Sequence, residues 1–214
     1  MRKYVFMIIL ITALIVFLFS ALSAPNTDKV NIGFNISEEN QRKEVISSDE
    51  KLRWDKTFGG SSDDYLRYLI QTGDGGYVIA GETSSYSTGK ADIWIIKLDS
   101  KGNKLWDKTF GGIDDDWIHS LIQTDDGGYA VAGKTFSFGA GEGDYWIIKL
   151  DSEGNKIWDK TFGGSNDDSV RSLVQTNDGG YVLAGITFSF GAGEGDFWII
   201  KLDEKGNLES VPEK

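Results

Sequence analysis

The chain of 214 residues has no cysteine, a single histidine (His119) and only two prolines. Without cysteine there is no disulfide framework, thiol nucleophile, thiolate-bound zinc or lipid-modified cysteine anchor. One histidine excludes a multi-histidine metal centre. Basic residues are also few, 22 Lys and Arg against 33 Asp and Glu, for a net charge of −11. That balance argues against a nucleic-acid backbone or an anionic membrane surface as partner, because like charges repel. What the chain has in quantity is glycine, 27 residues, and aromatics, 13% of the sequence with seven tryptophans. This is the composition of a folded chain rather than a disordered one.

Met1-Arg2-Lys3 is followed by an uncharged run to Ala24 that is apolar over 4–22. A basic start before an apolar run reads as a secretory signal peptide or as an uncleaved anchor. Ala21 and Ser23 are the small residues that cleavage after Ser23 requires, while the run approaches the ~20 residues that span a bilayer. Cleavage would remove Arg2 and Lys3, leaving 20 basic against 33 acidic residues, or −13. Both readings place the remainder outside the cell or at its surface, with membrane contact only through 4–22. Residues 1–24 are thus one unit, with a hydrophobic helix expected there, and the polar stretch 25–50 is a linker. Within it Val30, Ile32, Phe34 and Ile36 fall on every second residue, so 29–37 reads either as plain linker or as an edge strand covering an open sheet. Asn35-Ile36-Ser37 is a glycosylation sequon, with Asn35 the acceptor.

The rest of the chain repeats itself. WDKTFGG occurs at 54–60, 106–112 and 158–164, GGY at 75–77, 127–129 and 179–181, and WIIKLD at 94–99, 146–151 and 198–203. The period is 52 residues without insertion or deletion, and 37 of 52 positions are identical between 106–157 and 158–209. Copies this similar fold alike and stack. Each period holds four strand-like runs, exemplified by 65–72, 77–83, 93–99 and 104–110. The first turn is Gly-Asp-Gly-Gly and the third Ser-Lys-Gly-Asn, with glycine where positive φ is needed. Four strands in meander order per period of about 50 residues is the signature of a propeller blade.

LDSKGNKLW (98–106) and LDSEGNKIW (150–158) resemble the Asp–Gly–Trp blade endings of quinoprotein-type propellers, and the whole period resembles the repeats of secreted prokaryotic β-propeller proteins. The resemblance covers 52–207. It implies a fold and no chemistry, since no residue set suited to a quinone cofactor is present. The expected architecture is all-β: three four-stranded blades within 51–207, forming an open arc or half of a six-bladed ring, with a tail at 208–214. A β-trefoil is the competing three-repeat fold. The Ser-Lys-Gly turn sets a register with Ile96 opposite Trp106 and Trp94 on the same face, and the repeated tryptophans at 54, 94, 106, 146, 158 and 198 pack blade on blade.

Propellers have four to eight blades, and this chain has three. It opens on a fourth-type strand at 52–58 and closes on a blade short of one. The preferred completion is a homodimer of two half-rings. A partner supplying further blades, or a remnant arc, are the alternatives.

In such an arrangement the fourth-to-first and second-to-third loops share one face. That face gathers Asp63 and Asp64, Asp115 and Asp116, Asp167 and Asp168, together with Phe138 and Phe190. Three readings compete for the carboxylates: they cap turns, they bind Ca²⁺ through oxygen ligands, or a pair serves as acid and base in glycoside hydrolysis. Repeated carboxylates sit in similar environments, whereas acid–base catalysis needs dissimilar ones. No catalytic residue is therefore assigned, and no cofactor beyond the Ca²⁺ option. His119, present in one repeat only, reads as a solvent-side strand residue. The preferred function is a non-enzymatic extracellular or cell-surface module binding a protein or glycan. The alternative is a secreted hydrolase or carbohydrate-active subunit.

Overall fold

The computed structural model describes residues 54–209. The expected N-terminal helix, the strand at 29–37, Asn35 and most of the 208–214 tail lie outside the described residues. Among the described residues there is no helix, and none long and apolar enough to cross a membrane.

Among the described residues eleven strands form three antiparallel sheets. The first blade runs β1 (Asp64–Gln71), β2 (Tyr77–Thr83), β3 (Asp92–Leu98) and β4 (Lys104–Phe110). The second runs β5 (Asp116–Gln123), β6 (Tyr129–Thr135), β7 (Asp144–Leu150) and β8 (Lys156–Phe162). Among the described residues the third has β9 (Asp168–Gln175), β10 (Tyr181–Thr187) and β11 (Asp196–Leu202) and no fourth strand. Sequential strands pair in each sheet, as tight hairpins dictate. The sheets stack as an open, propeller-like arc, with β5 packed against both β1 and β9 along the inside.

The cores lie between blades. One cluster joins Val78, Ala80, Ile93 and Ile95 of the first blade to Ile118, Leu121, Tyr129, Val131, Trp146, Ile148 and Leu150 of the second. A second joins Ala130, Ala132, Tyr145 and Ile147 to Val170, Leu173, Tyr181, Leu183, Ile200 and Leu202. Each blade therefore has a leading face toward the preceding blade and a following face toward the next. Both are apolar, which is why the central strands read as unbroken hydrophobic runs.

Two local irregularities were hidden from the sequence pattern. The first is a bulge in every inner strand: Leu66 pairs with Gly81 and Tyr68 with Ala80, so Arg67 is the extra residue, and His119 and Arg171 are its counterparts. The bulge puts residues three apart, such as Ile118 and Leu121, on one face. It depends on glycine in the partner strand: a Cβ on Gly133 would stand 1.9 Å from the Trp117 carbonyl oxygen. The second lies between β3 and β4, where Leu98 pairs with Lys104 but Lys97 with Trp106. The expected register, with Ile96 facing Trp106, is thus off by one, because Leu105 is an extra residue. Trp106 lies on the following face with Ile93 and Ile95, and Trp94 on the leading face with Ile96 and Leu98.

The lysines of the first two IIKLD runs, Lys97 and Lys149, are buried beside this packing. Lys97 Nζ donates to Thr72 Oγ1 at 2.7 Å and to Asp74 Oδ1 at 2.9 Å, and Lys149 does the same with Thr124 and Asp126. The aspartate of the Asp-Gly-Gly turn thus neutralises a cation in the neighbouring strand, and its N–H···O bond from the second glycine shapes the turn.

Candidate functional site

The loop face is built from a repeated hydrogen-bond unit. In the first blade Asp64 Oδ2 accepts the Gly60 N–H at 2.9 Å and the Ser85 hydroxyl at 2.7 Å, and Oδ1 accepts the Thr83 hydroxyl. Asp116 accepts from Gly112 N–H (2.8 Å) and Ser137 (2.7 Å), and Asp168 from Gly164 N–H (2.8 Å), Ser189 (2.7 Å) and Thr187. The second aspartate of each expected pair therefore ties the fourth-to-first loop to the second-to-third loop. Burial opposes ionisation of Asp168, but the Thr187 and Ser189 hydroxyls and the Gly164 N–H outweigh it and hold the carboxyl below the ordinary aspartate range. Asp64 is held low in the same way.

The first aspartates behave differently. Asp63, Asp115 and Asp167 accept main-chain bonds through their carbonyls from Ser84, Phe136 and Phe188. Their carboxylates diverge: Asp63 is exposed, Asp115 Oδ1 accepts the Ala91 N–H at 3.2 Å, and Asp167 pairs with the buried Lys134 ammonium. The six carboxylates thus share a face but not a role.

A third aspartate per repeat, Asp92, Asp144 and Asp196, escaped the sequence argument because it reads as a strand start. Asp92 and Asp144 are 1% exposed, and their Oδ1 atoms have no hydrogen-bond partner. Asp116 Oδ1 is likewise buried and unpartnered. Burial pushes the Asp92 carboxyl up, the Thr88 N–H pulls it down, and the Asp116 charge across the blade junction raises it further. Asp144 is raised by burial against its bonds from Ala140 and Gly141, with Asp168 and Asp167 adding repulsion. The recurrence of Asp before Ile/Tyr/Phe-Trp in all three copies was the available signal.

Above this layer stand the aromatics. Phe138 and Phe190 are 45% and 48% exposed, and Tyr86, their counterpart in the first blade, 47%. Each ring rests on its own blade's tryptophan, at 4.9 Å for Tyr86–Trp94, 5.3 Å for Phe138–Trp146 and 5.0 Å for Phe190–Trp198. The bases are fixed by the threonines that end the second strands, since Thr83, Thr135 and Thr187 Oγ1 accept the Tyr86, Phe138 and Phe190 N–H groups. Between the second and third blades an open cleft of about 470 Å³ is lined by Glu142, Asn166, Asp167, Phe188, Gly193 and Glu194. No group of three or more His, Asp or Glu side chains with metal-holding geometry occurs among the described residues.

On the inside of the arc, the three bulge residues converge on a second cleft of about 430 Å³, with Arg67, His119 and Arg171 in its lining. Arg67 is engaged by Glu82 at 2.7 Å. His119 is half-buried rather than solvent-side as expected, because the bulge turns it inward. Its Nδ1–H donates to the Val170 carbonyl at 2.8 Å, and burial lowers its pKa.

The hairpin turns at 99–103 and 151–155 are not cation loops in their bonding. Asp99 Oδ1 accepts the Lys101 and Asn103 N–H groups, both at 2.8 Å, and Asp151 repeats the pattern. No protein-family description matches this sequence, and no curated protein matches it either.

Proposed function

We propose that the protein is a non-enzymatic binding or scaffold module of the cell exterior, secreted or held by its N-terminal segment, whose propeller loop face takes a protein or glycan. The observation that carries this is the row of half-exposed rings at Tyr86, Phe138 and Phe190 on a hydrogen-bonded base. Rigid, half-exposed aromatics offer contact area at low entropic cost and stack on sugar rings or apolar protein groups. The Asp64 and Asp168 carboxylates beneath them are spent on backbone and hydroxyl donors. The finer architecture belongs with this proposal: propeller blades akin to those of secreted prokaryotic repeat proteins, three per chain, making half of a six-bladed ring. Nucleic acid is not a partner of so acidic a chain.

The test is retention of the full chain on a glycan array and on extracellular protein fractions, with Phe138→Ala and Phe190→Ala beside it. Loss of retention in both variants, with unchanged melting, supports the proposal. Retention unaffected by either removes the rings from the site. Ca²⁺ is the alternative occupant of the unpartnered Asp92, Asp116 and Asp144 oxygens, and a calcium-dependent rise in melting temperature would establish it where its absence leaves them bare. The Glu142 and Glu194 carboxylates in the 470 Å³ cleft are the one observation favouring a hydrolase or carbohydrate-active subunit. Turnover of a polysaccharide that stops in Glu142→Gln or Glu194→Gln would establish that alternative.

A further inference from the structure

We propose that a second copy of this chain completes the third blade, donating its residues 54–58 as the missing fourth strand, and that two such exchanges close a six-bladed ring. The inference deepens the half-ring architecture above and does not depend on what the loop face binds.

The donor is a fourth strand without a sheet. Residues 54–58 read Trp-Asp-Lys-Thr-Phe, identical to 106–110 in β4 and 158–162 in β8, yet they pair with no strand among the described residues. They sit on the first blade where β4 sits on the second and β8 on the third. Trp54 meets Tyr77 edge-on at 5.9 Å, as Trp106 meets Tyr129 at 5.8 Å and Trp158 meets Tyr181 at 5.7 Å. Trp54 also covers Gly102 as Trp106 covers Gly154 and Trp158 covers Gly206. The strand is placed for a preceding blade that the described residues do not provide.

The acceptor is a sheet that has no fourth strand among the described residues. Beyond β11 the described residues supply one bridge, Leu202 to Leu208. The residues next in line for the positions of Trp106, Asp107 and Lys108 are Ser210, Val211 and Pro212, and proline has no N–H to give a ladder.

The two end faces are the halves of an interface the molecule already makes twice. On the leading face, Leu66 and Leu69 are 63% and 62% exposed, whereas Ile118 and Leu121 are 1% and 6%, and Val170 and Leu173 0% and 3%. On the following face, Phe197 and Ile199 are 96% and 67% exposed, whereas Ile93, Ile95, Tyr145 and Ile147 are each 0%. A cavity of about 90 Å³, lined in part by Phe58, Leu66, Ile79 and Trp94, opens on the leading face. The polar partners match as well. The Gly73 N–H donates to Gln123 Oε1 and the Asp125 N–H to Gln175 Oε1, both at 3.0 Å, which leaves the Asn177 N–H and Gln71 as the next such pair. The Asp116 N–H donates to Ala91 O and the Asp168 N–H to Gly143 O, both at 2.7 Å, leaving the Asp64 N–H for Gly195 O. A second copy of the chain offers the complement to each of these groups. Such a head-to-tail contact closes after two copies, and six blades lies within the range of closed propellers.

The β3–β4 register, transferred by the repeat, sets Ile199 opposite Lys56 of the second copy. Both positions are exposed in one chain, so substitution there leaves the fold intact. The absence of native cysteine makes introduced ones unambiguous. Facing Cα atoms in an antiparallel pair are ~4.5–5.5 Å apart, within disulfide reach. The full-length Ile199→Cys and Lys56→Cys chains, co-expressed and oxidised in mild detergent, are expected to give a covalent dimer that neither forms alone and that Thr57→Cys does not form with Ile199→Cys. The unsubstituted chain is expected to have the mass of two copies. A single-chain mass, with no disulfide between the Lys56→Cys and Ile199→Cys chains, would overturn the proposal, as would a ladder of larger species. So would an intrachain link in the Ile199→Cys/Pro212→Cys double variant, which would show the chain's own tail on the edge. Loop-face binding is read separately and survives any of these outcomes.

Discussion

Leu69 and Leu121 are the same residue at the same place in successive repeats, and they differ only in what stands next to them. Leu121 is 6% exposed in the junction between the first two blades, and Leu69 is 62% exposed on the uncovered leading face. Full burial of a leucine side chain contributes ~1.5–3 kcal/mol by transfer, and truncation in a packed site adds a cavity penalty, so Leu121→Ala should cost about 3 kcal/mol. Little more than a third of Leu69 is buried and no enclosed void would form, so Leu69→Ala in an isolated chain should cost under about 1 kcal/mol. At 2–4 °C of melting temperature per kcal/mol for a domain of this size, Leu121→Ala melts roughly 6–12 °C lower. If two copies close a ring, Leu69 becomes as buried as Leu121, and its cost becomes concentration-dependent because the dimer is stabilised by mass action. The assay is urea unfolding of the full chain followed by its tryptophan fluorescence, at low nanomolar and at tens of micromolar protein. The gap of about 2 kcal/mol between the variants should be open in dilute solution and nearly closed in concentrated solution. A large cost for Leu69→Ala in dilution would refute the uncovered face. No cost at high concentration would refute the partner.

Three further outcomes follow from the same geometry. Gly133→Ala drives a methyl to within 1.9 Å of the Trp117 carbonyl and should lower stability by more than about 2 kcal/mol, while Gly127→Ala, at φ +81° in open space, should cost only the ~1–2 kcal/mol of left-handed backbone. Equal melting of the two would deny the bulge its dependence on glycine. Asp126 is held down to about 2 despite the cost of burial, mainly by Lys149 and Thr124. What it contributes is therefore complete above pH ~4 and lost as the pH falls toward 2. Its side chain is 58% exposed, so screening keeps the contribution under about 1 kcal/mol, and Asp126→Asn should flatten that part of the acid-melting curve. Asp144 runs the other way: its raised pKa means a penalty that grows as the pH rises through the ordinary aspartate value. Asp144→Asn should therefore gain stability at pH 7 and show no gain near pH 3. A loss at pH 7 would reveal a cation on the unpartnered oxygen.

The repeat and its four strands were legible because the 52-residue period and the glycine turns are local signals, and the hairpin glycines Gly75 and Gly102 do have positive φ, 80° and 75°. What could not be read were the extra residues. A bulge leaves no trace in hydrophobic alternation when both faces of a strand are apolar, so Leu105 shifted the expected register by one and His119 was placed on the wrong side. The loop carboxylates were found, but their division of labour was not. It depends on which hydroxyl stands across the gap, and Ser85, Ser137 and Ser189 lie 21 residues away from the aspartates they meet.

Where the copies are alike, burial is decided by the neighbour and not by the residue. What distinguishes the blades must therefore lie where the copies differ. Glu82, Lys134 and Ile186 occupy one repeat position on the following face. Glu82 is 5% exposed, engages Arg67 and accepts the Ile118 N–H at 3.3 Å. Lys134 is 6% exposed, engages Asp167 across the next junction and lies 4.3 Å over the Phe136 ring. At the open end the charge is replaced by isoleucine, beside Phe197 at 96% exposure. A face meant for water would be expected to keep its charge there, since exposed apolar patches invite association. The third copy instead makes the open end more apolar than the two closed ones, which is the substitution expected of a surface that another blade covers.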